Sequence, residues 1–281
     1  MTSVAIDADL STTTLRPRAS VQWSAFGSLL IRDVVVLWKT KWAFLLRTIM
    51  QPLLFVFVFG YVFPKIGQGI GGSGASAAQF STLLGPGLIA VAIIFQGIQS
   101  VALPMVQEFG YTREIEDRVM APVPVWAVGA EKIVSGACQS VFAAIAVLPL
   151  VYLVPATPVH FSFSWPVIIT LVPLSCLLAG ALGLTVGTRV EPRQVPLIFS
   201  VLVLPMTMLG AAYYPWTKLG AIPWLKWAVL VNPLVYMCEG MRMGLTTIPH
   251  MNALAIYGAI LGFTVVLAWV GIDGFRKRVL T

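Results

Sequence analysis

Six long apolar stretches constrain this chain more than any other feature. A helix needs about 20 apolar residues to cross the hydrocarbon core of a bilayer. Stretches at about 43–63, 83–106, 133–154, 166–188, 195–214 and 253–272 meet or approach that length. The fold class expected is an all-α integral membrane protein with six transmembrane helices. Composition agrees: 58% of the 281 residues are hydrophobic and 10% are charged, against about 25% charged in a soluble domain. The prolines inside these stretches, Pro52, Pro86, Pro104, Pro149, Pro173 and Pro205, are tolerated in a membrane because neighbouring groups re-satisfy the freed carbonyls.

The net charge of +7 is spread between the apolar stretches and forms no single stripe, which argues against nucleic acid as a partner. Its distribution orients the chain. Arg16, Arg18, Arg32, Lys39, Lys41, Arg113, Arg118, Lys132, Arg189, Arg193, Arg276, Lys277 and Arg278 fall on the side of the termini, and only Lys65, Lys218, Lys226 and Arg242 on the other. Cytoplasmic loops collect Lys and Arg, so both termini are expected in the cytoplasm. Residues 1–20 are polar and carry no basic segment followed by an apolar core, so they read as a disordered cytoplasmic tail and not a signal peptide. Residues 21–281 form the membrane domain. Cys138, Cys176 and Cys238 lie in or near apolar runs without metal-ligand or disulfide spacing.

Between 21 and 41, Trp23, Phe26, Leu30, Val34 and Leu37 recur at helical spacing, with Ser24, Ser28, Arg32 and Lys39 opposite and Val35 as an exception. An amphipathic helix of this kind suits the membrane interface; an extension of the first span into the cytoplasm is the alternative. Residues 65–78, rich in Gly, Ser and Ala, read as a flexible outer linker. Gly180, Gly183 and Gly187 make a small-residue stripe that suits close helix contact, within the chain or across a dimer.

The loop after the second stretch holds Glu108, Glu114, Glu116 and Asp117. Thr112 can cap a short helix, Glu114 complements its dipole, Glu114 and Arg118 can pair at i, i+4, and Pro122 ends it. Ile115 and Val119 share an apolar face, with Met120 beside them and Arg113 and Glu116 on the charged rim. Such a helix can dock on a soluble partner or serve as a capped, solvated connector; its residues allow both. Between 213 and 251, apolar pieces too short to cross alternate with Pro, Lys and Trp, as in Tyr213-Tyr214-Pro215-Trp216 and Trp224-Leu225-Lys226-Trp227. Trp and Tyr favour the interface, and the segment reads as re-entrant outer helices between spans five and six. Glu239 and Arg242, at i, i+3, are a functional candidate by their depth and a mutually neutral structural pair by their spacing.

Two patches resemble the ABC-2 family of transporter permeases. One is Glu108 to Pro124 followed by Val128-Gly129-Ala130-Glu131-Lys132, similar to that family's acidic cytoplasmic coupling segment; the other is Tyr214-Pro215, Ile222-Pro223 and Asn232-Pro233-Leu234, ending in Glu239-Gly240-Met241-Arg242. The order of elements fits across nearly the whole chain. The resemblance implies the permease subunit of an ATP-driven exporter in a bacterial plasma (inner) membrane. It further implies a second copy or a paralogous permease as partner, two ABC ATPase subunits, and an amphipathic drug-like, lipid or glycan substrate. Thr112, Arg113, Glu114, Ile115, Glu116, Arg118, Val119 and Met120 would couple to the ATPase. Pro215, Pro223, Asn232, Pro233, Glu239 and Arg242 would form the outer re-entrant motif. The 281 residues contain no GxxxxGK[ST], so no cofactor is expected on this chain, and ATP and Mg would sit on the partner. An ion-coupled carrier or channel is the alternative, though such proteins carry ionisable residues mid-span. A membrane enzyme is less well supported, since His160 and His250 have no acid at catalytic spacing.

Overall fold

The structure, a computed structural model, describes residues 18–66, 75–109, 124–190, 194, 197 and 199–280. All regular elements among them are helical. They are α1 (Arg18–Lys39), α2 (Lys41–Lys65), α3 (Ala75–Gln107), α4 (Val125–Leu153), α5 (Trp165–Arg189), α6 (Leu204–Met208), α7 (Pro223–Ala228), α8 (Pro233–Leu245) and α9 (Ala253–Leu280). Five helices among the described residues are long and apolar enough to cross a membrane: Lys41–Lys65, Ala78–Gln107, Val125–Leu153, Trp165–Arg189 and Ala253–Val279.

The stretch expected at 195–214 departs from its sequence reading. Its described part is π-helical at Phe199–Val203 and α-helical in α6, and the helix stops at Met208. Leu209 N–H closes the end on Pro205 O at 2.9 Å. Ala211 then takes φ 55°, a left-handed conformation that carries a steric cost for a residue with a Cβ. The apolar run continues to Tyr214, so hydropathy alone cannot place this turn.

Proline positions show how the membrane spans keep their backbone satisfied. Pro64 has no N–H for the carbonyl four residues before it. That carbonyl, on Gly60, instead accepts from Ala156 N–H at 2.9 Å. The bond ties the end of α2 to the end of α4.

α5 is the central helix, packed on α3, α4 and α9. Its glycine stripe faces within the chain. A Cβ on Gly180 would collide with the Ile133 carbonyl of α4, and one on Gly183 would lie 2.5 Å from the Gly97 carbonyl of α3. One on Gly187 would lie 3.0 Å from Cα of Ala102. Small residues allow this approach, where dispersion holds helices together without a hydrophobic driving force. On the outer surface, α9 leaves Leu254, Leu261, Val265 and Trp269 exposed, the pattern of a lipid-facing helix.

α1 is a separate helix, interrupted at Thr40 (φ −103°, ψ 16°), whose hydroxyl donates to Val36 O at 3.0 Å. Its inner face differs from the sequence reading. Phe26, Leu30 and Leu37 are half-buried as expected, but Val34 is 49% exposed and Asp33 takes its place. Ile31, Val35 and Trp38 also point away from the protein.

The ends of α3, α5 and α9 and the start of α4 gather at one end of the molecule. Lys132 of α4 pairs with Glu108 beyond α3 at 3.3 Å. Arg278 of α9 donates to the carbonyls of Gly187 and Val190 at the end of α5, both at 3.1 Å. Arg189 meets Asp273 at 2.9 Å.

Candidate functional site

Three elements between 215 and 245 begin at, or just after, the prolines singled out from the sequence; a 3-10 turn at Val229–Val231 follows without one. Pro215 (φ −75°, ψ 141°) leads into a 3-10 turn at Trp216–Ala221. Pro223 opens α7 and Pro233 opens α8. Proline suits the first helical position because its missing N–H would lack a helical partner there anyway. Asn232 caps α8: its Oδ1 accepts from Leu234 N–H at 3.0 Å, and its Nδ2 donates to Met206 O at 2.7 Å. One side chain therefore fixes the start of α8 and ties it to α6.

α8 is buried against α3, α5 and α9, and Glu239 and Arg242 are 0% exposed within it. Arg242 Nη1 donates to Glu239 Oε1 at 2.7 Å. Arg242 Nη2 donates to the carbonyls of Ala211, in a short contact, and of Ala212, at 3.2 Å. Glu239 Oε1 also accepts from Trp216 N–H at 2.9 Å, and Oε2 from Met251 N–H at 3.0 Å. The pair thus serves as a junction for three irregular segments: the turn after α6, the start of the 3-10 turn, and the approach to α9. Irregular backbone at membrane depth needs such internal partners. Gly87 of α3 makes the turn possible, because a Cβ there would collide with the Ala212 carbonyl.

Asn232, Pro233, Glu239, Arg242 and Pro215 are brought together around α8. Pro223 stands apart on the exposed surface, starting α7. Trp216 braces that hairpin: its Nε1 donates to Lys226 O at 3.0 Å while Lys226 Nζ lies 4.5 Å over its ring. His250 Nδ1 lies 2.8 Å from Met251 O, so this histidine is engaged next to the Glu239 junction.

The residues expected to couple to an ATPase, Thr112, Arg113, Glu114, Ile115, Glu116, Arg118, Val119 and Met120, lie outside the described residues. Their anchors on both sides are described. Glu108 and Phe109 precede them; Phe109 meets the Phe275 ring edge-on at 6.0 Å and lies 4.7 Å from the Arg278 guanidinium. Pro124 follows them and leads into α4.

Beside this end lies a polar cluster that sequence reasoning missed. Ser135 of α4 donates to Asp33 Oδ2 of α1 at 2.9 Å, and Arg32 reaches Asp33 Oδ1 at 3.2 Å. Burial pushes the Asp33 carboxyl up. The Lys132 charge, the Ser135 hydroxyl and Arg32 outweigh it and hold the carboxyl below the usual carboxylate value. A weak signal existed: Asp33 sits at i+7 from Phe26 and i+3 from Leu30, on the inward face.

Residues 24–246 match a family model described as ABC-2 type transporter. Both motif patches fall inside that range. Over 247 residues the chain is 27% identical to the inner membrane transport permease YadH of Escherichia coli, a match spanning 86% of this chain and 91% of that protein. YadH of Shigella flexneri matches to the same extent.

Proposed function

The chain belongs to the ABC-2 type transporter family, and on that premise we propose that it is the membrane-spanning subunit of an ATP-driven exporter in a bacterial inner membrane. A membrane transport permease of this family would draw its energy from an ABC ATPase in a separate chain. Two ATPase copies and two permease subunits, identical or paralogous, would make the assembly. ATP and Mg would bind the ATPase only. The substrate class would be amphipathic: drug-like, lipid or glycan.

The observation that carries this reading is the match over residues 24–246, which spans both motif patches. The gathered basic residues support an orientation. Arg189, Arg276, Lys277 and Arg278 lie at the end of the molecule that also holds Glu108 and Phe109. By the preference of cytoplasmic loops for Lys and Arg, that end would face the cytoplasm and present the 110–123 segment to the ATPase. ATPase closure would then bias the packing of the spans between an inward and an outward state, and the outward state would release substrate by binding it less well.

Copurification with an ABC ATPase and stimulation of its turnover test the proposal. The expected result is association that is lost when residues 112–120 are scrambled while the protein still inserts. Transport driven by a proton gradient without ATP would overturn it in favour of a carrier. A cysteine at Lys218 should react with an impermeant reagent in intact cells, and one at Lys277 should not; the reverse would overturn the orientation.

A further inference from the structure

Four helices turn polar side chains toward one groove and a small cavity beside it. α3 contributes Gln96, Gln99, Ser100 and Gln107, which follow one another at helical spacing along a single face of an otherwise apolar helix. α2 contributes Arg47, Thr48 and Gln51, and α4 contributes Lys132 and Gln139. α1 closes the side with Arg32 and Asp33. Most of these residues bound a cavity of about 740 Å³; Thr48, Gln51 and Gln96 instead line a second, of about 20 Å³, that abuts it. Arg47 and Gln99 line both.

The groove's charges do not all pair internally. Arg32 pairs with Asp33 and Lys132 with Glu108. Arg47 has no ion pair or hydrogen bond among the described residues. It sits six residues into α2, about 9 Å along the helix. Its side chain is exposed along the wall of the groove, so the guanidinium is open to a ligand. At the inner end, Thr48 donates to Gln96 Oε1 at 2.9 Å. This leaves Gln96 Nε2, on a side chain only 3% exposed, as an unpartnered donor facing the smaller cavity. The groove therefore offers a guanidinium unpaired among the described residues, and the small cavity beside it an unused amide donor. Val36, Phe44 and Leu103 supply apolar wall between the polar groups. Trp38, Trp42 and Leu46 stand exposed on the lipid side of α1 and α2, beside the groove.

We propose that this groove seats the phosphate headgroup of an anionic amphiphile, with Arg47 as its principal anchor, Gln99 beside it, and the acyl tail lying along the apolar surface of α1 and α2. A guanidinium fork matches phosphate in two parallel hydrogen bonds. Arg47 is the surplus cation among the described lining residues, and it selects an anionic headgroup over a zwitterionic one. The site depends on the chain lying in a bilayer, and not on the energy source or direction of transport.

The test uses the full-length protein in neutral detergent, titrated with dihexanoylphosphatidylglycerol, dihexanoylphosphatidylcholine or inorganic phosphate, with tryptophan fluorescence and thermal midpoint as readouts. Saturable binding of the phosphatidylglycerol is expected. Arg47→Gln should weaken it about tenfold, the loss of one charged hydrogen-bonding partner, while Arg47→Lys, which keeps the charge and loses the two-pronged fork, should weaken it less. Arg276→Gln, an exposed cation on α9, should leave it unchanged. If Arg47→Gln fails to fold, Gln99→Leu is the second variant and should also weaken binding.

Equal binding of phosphatidylcholine would overturn the anionic preference. Equal binding of inorganic phosphate would assign the site to free anions and overturn the amphiphile. Unchanged phosphatidylglycerol binding in both groove variants would overturn the site itself. Binding is measured here without ATP or an ATPase, so its failure is distinct from failure of the exporter reading.

Discussion

Arg242 Nη1 lies 2.7 Å from Glu239 Oε1, one turn away on α8, and neither side chain reaches solvent. Between them they bond the carbonyls of Ala211 and Ala212 and the N–H groups of Trp216 and Met251. Removing one partner leaves a buried charge uncompensated, at a cost of about 3–5 kcal/mol. Arg242→Ala and Glu239→Ala should each lower the thermal midpoint sharply and reduce the amount of inserted protein. The double variant Glu239→Gln, Arg242→Gln removes both charges, keeps hydrogen-bonding groups, and should be milder than either. An Arg242→Ala protein that melts with the wild type would show that the junction does not hold the segment.

Asn232 makes two different bonds, so two substitutions separate them. Asn232→Asp keeps the acceptor for Leu234 N–H but loses the donor to Met206 O. Asn232→Ala loses both. Loss of an N-cap side chain costs about 0.5–2 kcal/mol, and the Met206 tie adds about 1 kcal/mol. Thermal unfolding in detergent should rank wild type above Asp above Ala. Equal stability of the Asp and Ala variants would mean that the Met206 bond, and not the cap, carries the effect.

The glycine stripe on α5 permits a test with its own control. Gly183→Ala places a Cβ 2.5 Å from the Gly97 carbonyl, whereas at Gly258 of α9 nothing lies within 4 Å. Overpacking typically costs about 1–3 kcal/mol. Alanine in an open helical position is favoured over glycine by up to about 1 kcal/mol. Gly183→Ala should destabilise and Gly258→Ala should not. If both were neutral in thermal unfolding, the close approach of α3 and α5 would be wrong.

Legibility in the sequence follows the range over which each feature acts. Apolar length is local, so Trp165–Arg189 falls within a residue of the stretch read at 166–188. Proline at a helix start is local too, and Pro233 and Pro223 open helices where the motif stands. The Glu239–Arg242 spacing suggested their pairing, but not the four backbone groups they serve, because Ala211 and Ala212 lie about 30 residues away and only a bent chain brings them near. The end of α6 is hidden because Gly210 to Tyr214 carries no charge and no proline to mark the turn. The face of α1 was misjudged at Val34 because hydropathy favours valine inward, while Asp33 is drawn inward by Ser135, which is 102 residues away in the chain.

That last bond carries a pH dependence with a definite sign. Asp33 is held below its ordinary value by Lys132, Ser135 and Arg32 against the effect of burial. A carboxyl depressed in the folded protein contributes stability that is fully present above its unfolded value and lost as pH falls through the folded one. The tie between α1 and α4 should therefore be intact across neutral pH and weaken only below about pH 4. Asp33→Asn removes the charge at every pH, and at this partly exposed site it should cost about 1 kcal/mol. Hydrogen exchange in α1 reads the tie directly. Faster exchange is expected in the variant than in the wild type at pH 7, with the difference shrinking as the wild type is acidified. A difference that grew toward acid would mean that Asp33 is not held as a carboxylate, and that some other contact secures α1 to the bundle.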